Sequence, residues 1–190
     1  MVTLYLYDNI IQSKEKEEIK EHILPEEALD YGKIKNIFLF ESHLEKLAKK
    51  EKWLTLFKSK KLIIILPSNY TSCDKEILNV ILQNIGFQNI KFICEKECLN
   101  LKKDQIIAIV HKKYLVTLKK DSDPMTYPYY IFQNMKNTLD FLIKKNSKKY
   151  HYILIGNCCK IIEYAESMKT NNIHYYQEYS EYIINNAIPK

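Results

Sequence analysis

The sequence predicts an α/β fold with a mixed, partly parallel sheet flanked by helices. Three observations carry that reading. Apolar runs of strand length alternate with helical periodicities along the chain. The stretch from Lys60 to Ile93, KKLIIILPSNYTSCDKEILNVILQNIGFQNIKFI, reads as strand, turn, helix and strand. The runs QIIAIV (Gln105 to Val110) and KYLVTL (Lys113 to Leu118) read as two buried strands joined by a tight turn at His111-Lys112.

Each element of the Lys60–Ile93 stretch has a local cause. Leu62 to Leu66 is continuously apolar and rich in β-branched Ile, which suits a strand buried on both faces. Pro67 ends its ladder because proline has no N–H to donate. Thr71 or Ser72 can cap a helix whose first turn holds Asp74, Lys75 and Glu76. Ile77, Leu78, Ile81, Leu82 and Ile85 recur on one helical face. Gly86 stands where a left-handed residue would close that helix. Ile90 to Ile93 then begins a strand, parallel to the first if the unit is βαβ.

The rest follows in chain order. VTLYLY (Val2 to Tyr7) is a first strand. SKEKEEIKEH (Ser13 to His22) is charged, and predicts a solvated helix or loop. Ile23-Leu24-Pro25 breaks that pattern, and Gly32 sits in a turn before Ile34. Phe38, Leu39, Leu44, Leu47 and Ala48 mark a helix running to about Leu56. Cys94 to Asp104 is a polar loop or short helix, and Lys119 to Tyr127 a polar loop. Tyr129 to Lys144 reads as a helix, and Tyr152 to Ile155 as a strand ending at Gly156. A helix over Cys159 to Met168, a short strand over Asn172 to Tyr176 and a helix over Tyr179 to Ala187 complete the chain. No internal repeat stands out.

With 190 residues and 46% apolar content, the chain can bury a real core in one domain or two small lobes. The net charge of +6 comes mostly from lysine, and the chain is poor in arginine. No nucleic-acid-reading motif accompanies that charge, so no specific nucleic-acid partner is expected. The start of the chain lacks the basic and apolar regions of a signal peptide, and no apolar run reaches the length of a membrane span. Five cysteines, an odd number, fit reduced thiols in the cytoplasm.

The order Pro25, Leu29, Gly32, Ile34, helix, Leu66-Pro67-Ser68, capped helix, Gly86 and strand resembles a segment of the bacterial actin homologue MreB. There a P-L-x-x-G-x-I-x-D segment and an amphipathic helix precede a strand ending in V-P-S. The resemblance implies a ribonuclease-H-like, actin-type fold. The chain is shorter than those proteins and leaves no room for an outer subdomain between the hairpin and the helix before Tyr152, so the fold would be a reduced one. Residues 1–190 would form one reduced actin-like domain, with a first lobe over 1–100 and a second over 101–190.

The resemblance also locates where a nucleotide would bind, and the residues there depart from the pattern. Phosphate loops need glycine, because only glycine lets the backbone approach and aim N–H groups at phosphate oxygens. The three glycines here lie in no glycine-rich loop. Where the family has D-x-G, Asp8 is followed by Asn9-Ile10. Where it has D-I-G-G-G-T, the chain has Ile109-Val110-His111-Lys112-Lys113. Where it has T-G-G-G, the chain has Ile155-Gly156-Asn157-Cys158-Cys159. Loss of the acids removes the Mg²⁺ anchor of phosphoryl transfer. Asp8, His111, Lys112, Gly156 and Asn157 are thus degenerate phosphate-loop positions. The expectation is a protein that is not an enzyme and has no catalytic residues, metal or cofactor.

Other constellations are weaker. Cys94/Cys98 and the adjacent Cys158-Cys159 lack the spacing of a zinc site. A thiol nucleophile drawn from Cys73, Cys158 or Cys159, with His111, His151 or His174, lacks an oxyanion loop. Tyr175, Tyr176, Tyr179 and Tyr182 cluster near the end of the chain, and tyrosine suits interfaces. The function expected is an MreB-like scaffold or cytoskeleton-associated protein of cell shape or division, working through a protein partner or self-association. Peripheral membrane association stays open. The alternatives are a PilM-like adaptor of a membrane-associated assembly and a nucleotide-binding protein or ATPase with atypical loops.

Overall fold

A computed structural model of the chain describes residues 1–30, 32–55, 58–99, 101–111, 114–128, 132–146, 151–156, 173–176 and 179–185. The chain divides into two compact units, Met1–Cys98 with Ser180–Lys190, and Leu99–Tyr179.

In the first unit, β1 (Val2–Tyr7), β2 (Ile10–Glu15) and β3 (Glu18–Ile23) form an antiparallel meander. Two short strands, β4 (Leu29–Asp30) and β5 (Lys33–Ile34), make a small hairpin before α1 (Ile37–Lys50). A second small hairpin, β6 (Leu54–Thr55) and β7 (Lys58–Ser59), leads into β8 (Leu62–Leu66), α2 (Ser72–Ile85) and β9 (Ile90–Cys94). The sheet order is β3-β2-β1-β8-β9, with β1, β8 and β9 mutually parallel. Val2, Leu4 and Leu6 of β1 join Leu62, Ile64 and Leu66 of β8 under Phe40, Leu44 and Ala48 of α1 and Leu78, Ile81 and Leu82 of α2.

Two expectations are corrected here. Residues 13–22 are not a solvated helix or loop but the central part of the β2–β3 hairpin. Ile11, Gln12 and Ser13 are buried while β3 lies half-exposed at the sheet edge, so the charges are those of a protected edge strand. The first helix ends at Lys50 rather than near Leu56. Lys52 takes a φ of +55°, and Trp53, 2% exposed, turns back into the core. The apolar face also shifts, because Phe38 is 85% exposed and Phe40 is buried.

The second unit contains β10 (Gln105–Val110), β11 (Tyr114–Leu118), β12 (Met125–Pro128), α3 (Phe132–Asn146), β13 (His151–Gly156) and β14 (Ile173–Tyr176). Its sheet runs β12-β11-β10-β13-β14, with β10, β13 and β14 parallel and β11 antiparallel to both neighbours. The order and strand senses repeat those of the first sheet, although the sequence shows no repeat. The expected loop over 119–127 ends in β12, which pairs with β11 through Thr117↔Met125 and Tyr114↔Pro128. The helix expected over 159–168 lies outside the described residues.

The last helix, α4 (Tyr179–Asn185), returns to the first unit. The Gln12 amide donates to Ser180 Oγ at 3.0 Å, and Lys14 Nζ to Asn185 Oδ1 at 2.7 Å. Gln12 is the register partner of Tyr5, so it lies on the face opposite Leu4 and Leu6. The first sheet is therefore covered by α1 and α2 on one side and by α4 on the other. This accounts for the burial of every residue of β1.

Candidate functional site

The positions that an actin-type fold would use for phosphates lie at the carboxyl ends of the parallel strands. In the first unit that place is the turn between β1 and β2. Tyr7 and Ile10 are paired, so Asp8 and Asn9 alone make the turn, with Asp8 at a φ of +46°. Its backbone is engaged by other parts of the chain. The Gly32 N–H donates to the Asp8 carbonyl at 2.7 Å, and the Leu24 N–H to the Asn9 carbonyl at 2.8 Å. The Asn9 side-chain amide donates back to the Leu24 carbonyl at 2.8 Å. Gly32, at a φ of +69°, lies so close to this turn that a Cβ there would stand 2.7 Å from Pro67 Cγ. Asp8, Gly32 and Pro67, read separately in the sequence, thus meet in one closed knot.

The start of α2 borders the same end of the sheet. Thr71 and Asp74 form a reciprocal capping box, with Thr71 N–H to Asp74 Oδ2 at 2.8 Å and Asp74 N–H to Thr71 Oγ1 at 3.2 Å. Lys33 Nζ pairs with Asp74 Oδ2 at 2.9 Å. Burial alone would raise the Asp74 carboxyl, but the Thr71 N–H and hydroxyl and the Lys33 ammonium outweigh it and hold it below its usual value. A helix start that would attract an anion therefore already carries a carboxylate of its own.

Glu95, which the sequence placed only in a polar stretch, proves to be a central group of this unit. It follows β9 and is fully buried. Its carboxylate accepts from the Tyr5 hydroxyl, from Ser68 N–H at 3.0 Å and from Ser68 Oγ at 2.7 Å. It ties the turn after β8 to the middle of β1. On the same face, the Tyr7 hydroxyl donates to Glu21 Oε1 at 2.6 Å. Burial, and then Glu21, push the Tyr7 phenol above its ordinary value. These side chains act as brackets between strands, and none is free for acid–base work.

In the second unit the equivalent place is the β10–β11 turn. The His111 N–H donates to the Tyr114 carbonyl at 2.9 Å. The His111 ring is 5% exposed and stacks on Tyr114 at a centroid distance of 4.2 Å. Gly156 ends β13 in register with Val110, which brings the second and third degenerate positions together at one sheet end. Lys112, Lys113 and Asn157 lie outside the described residues, as do Cys158 and Cys159.

The remaining candidates disperse. Tyr175 and Tyr176 lie on β14 at the edge of the second sheet, while Tyr179 and Tyr182 belong to α4. The side chains of all four lie outside the described residues. Cys73 is exposed at the start of α2. Cys98 is buried, and burial pushes its thiol up to about 12, so it is no nucleophile near neutral pH. Among the described residues, no group of three or more His, Cys, Asp or Glu could hold a metal ion. No helix among them is long and apolar enough to cross a membrane.

No family model matches the chain, and no curated protein matches it. Solved structures do. The ethanolamine utilization protein EutJ from Carboxydothermus hydrogenoformans superposes with a TM-score of 0.65 at 9% identity, over 97% of this chain and 87% of that one. The AlfA filament bound to AMPPNP gives 0.61 at 13% identity, over 97% and 93%. The cytoplasmic domain of EpsL, an inner membrane component of the type II secretion system of Vibrio cholerae, gives 0.54 at 8% identity, over 98% and 93%. At such identities the likeness establishes the fold alone. The fold is that of the actin-like proteins in a shortened chain, with two topologically equivalent ribonuclease-H-like sheets.

Proposed function

We propose that this chain is a non-enzymatic, actin-like scaffold of the cytoplasm that works through protein contacts, either with copies of itself or with a partner. The observation that carries this is the closure of the β1–β2 turn. The backbone carbonyls of Asp8 and Asn9 are taken by Gly32 and Leu24, and Pro67 packs against Gly32. A phosphate cradle needs several backbone N–H groups converging on open space. A two-residue turn supplies at most two such groups, and its conformation is fixed by the bonds to Gly32 and Leu24. The carboxylate of Asp74 at the start of α2 adds repulsion toward a phosphate. Cell shape or division is the setting that the likeness to bacterial actins suggests.

Calorimetry of the purified chain with Mg²⁺ and ATP tests this reading. No heat at millimolar ATP is the expected result. Binding in the micromolar range would overturn it and restore the reading of an ATPase with atypical loops. Sedimentation velocity over a concentration series then separates self-association from dependence on another protein. The likeness to the EpsL cytoplasmic domain favours a second reading within the same class, an adaptor in a membrane-associated assembly. On that reading the chain stays monomeric at all concentrations and binds a component of the assembly.

A further inference from the structure

Helices α1 and α2 cover the same face of the first sheet, and their outer sides carry apolar residues that the core does not use. Both start at the carboxyl end of the parallel strands, so they run in the same direction. Phe38 is two residues from the buried Phe40, about 200° around the helix, and is 85% exposed. On α2, Ile77 and Val80 are exposed while Leu78, Ile81 and Leu82 are buried. Lys75 Nζ stands 5.4 Å from the centre of the Phe92 ring on β9, so that side of α2 faces the sheet edge. Ile77 lies about 200° around the helix from Lys75, and Val80 about 140°, so both turn away from β9 toward α1. The Lys33–Asp74 ion pair ties the strand just before α1 to the first turn of α2. It holds the start of α1, with Phe38, beside that flank.

The free charges of this furrow are acidic. Glu41 and Glu45 follow Phe38 at steps of three and four, and Glu76 precedes Ile77. The lysines that could neutralise them are engaged or turned aside. Lys49 is tied to Glu45 at 2.5 Å, Lys33 to Asp74 at 2.9 Å, and Lys75 faces β9. Among the described residues, Glu41 and Glu76 have no ion-pair partner.

We propose that the furrow between α1 and α2 holds a basic amphipathic helix of a partner protein, with an apolar stripe flanked by lysine or arginine. The stripe would cover Phe38, Ile77 and Val80, and the flanking cations would meet Glu41 and Glu76. Charge selects this occupant. An anionic lipid surface or a nucleic acid would meet uncompensated carboxylates. A second copy of the same face would bring acids together with no free lysine within the furrow to meet them. On the reading that the chain works through protein contacts, on which this rests, the furrow sets the chemistry of one such contact. Each helix has 14 residues, so the furrow is about 21 Å long. It takes a helix of about four turns. That is a small interface, for which micromolar rather than nanomolar affinity is expected.

Fluorescence anisotropy tests it, with a labelled synthetic helix of about 18 residues that carries leucine at helical spacing and lysine on both flanks. The full chain should bind this helix in the micromolar range. It should bind about tenfold more weakly a helix with the same residues in shuffled order, and one with glutamate in place of lysine. Phe38→Ser should weaken binding about tenfold. Glu41→Lys with Glu76→Lys should weaken it as much, and should remove most of the loss seen at about 0.5 M salt. Lys16→Gln, at the β2–β3 turn, should leave it unchanged. Circular dichroism verifies the fold of each variant. One that does not fold is replaced by Val80→Ser or Glu76→Gln, each expected to weaken binding several-fold. No binding at millimolar concentration would overturn the proposal. So would equal binding of the three helices, or binding that no furrow variant weakens. Self-association of the chain that Phe38→Ser abolishes would overturn it in favour of a second copy. These outcomes separate from those of the ATP measurement. A silent helix with no heat from ATP removes the furrow and keeps the scaffold, whereas heat from ATP removes the scaffold whatever the helix does.

Discussion

Gly32 and Gly86 both take left-handed conformations, at φ +69° and +110°, but their surroundings differ. A Cβ on Gly86 would meet nothing within 4 Å, so only the backbone preference opposes a side chain there. A Cβ on Gly32 would overlap Pro67 Cγ and press on the Leu6 carbonyl oxygen at 3.2 Å. Gly86→Ala should therefore cost about 1 kcal/mol, and Gly32→Ala about 2 to 4 kcal/mol, from backbone strain plus forced repacking. Urea unfolding of the two variants measures the difference, and equal costs would mean that the knot at the β1–β2 turn is not tight. Both glycines were legible as turn residues, because each follows an apolar segment and precedes another. That Gly32 closes over Asp8 was not legible, since the contact joins distant parts of the chain. Glu95 was still less visible. An acid in a polar run looks solvated, and only the pairing of Tyr5 with the turn at Ser68 shows why it is buried. Glu95→Gln would replace an acceptor of three hydrogen bonds with a group that must also donate. It should cost about 1 to 3 kcal/mol in the same measurement.

At the scale of elements, the sequence was most readable where local chemistry and tertiary burial agree. The β8–α2–β9 unit is such a case. Its continuous apolar strand, its Thr71 cap and its Gly86 stop each appear as expected. The β2–β3 hairpin is the opposite case. Lysine and glutamate dominate its composition, yet it forms strands because Gln12 is covered by α4, Ser13 is buried on the opposite face beside His22, and the outer strand lies at the sheet edge. Composition reports solvation, and an edge strand is solvated too. One residue of this hairpin makes its stability depend on pH. The His22 ring accepts or donates a hydrogen bond with Ser13 Oγ at 2.9 Å and meets Trp53 edge-on at 6.2 Å. Burial lowers its pKa, with Glu51 opposing and Lys50 and Lys20 reinforcing the shift. The folded state thus binds this proton less readily than the unfolded chain. Stability from this site is complete above the ordinary histidine value and declines as pH falls through and below it. His22→Gln should flatten the unfolding free energy measured between pH 7 and 5. An unchanged slope would place the acid sensitivity elsewhere.

The molecule as a whole shows a regularity that no residue pattern announced. Two sheets share the order 3-2-1-4-5 and the same strand senses, and yet their sequences carry no common motif. Burial asks only for apolar side chains at the right spacing, and many sequences meet that demand, so topology can repeat where sequence does not. Nor could the sequence show that the chain leaves its first unit at Cys98 and returns to it at Ser180. That return gives the last prediction. Ile183 and Ile184 are buried, at 0% and 2% exposure, and Ser180 meets the Gln12 amide. A chain ending at Tyr179 would uncover the Tyr5 and Gln12 face of the first sheet and lose two buried isoleucines, about 3 to 6 kcal/mol of burial. Hydrogen exchange should then show β1 and β2 amides losing protection, while those of β10 and β13 keep theirs. Loss of protection in both sheets to the same degree would mean that the two units fold as one cooperative body. Loss in neither would mean that α4 covers the first sheet without holding it together.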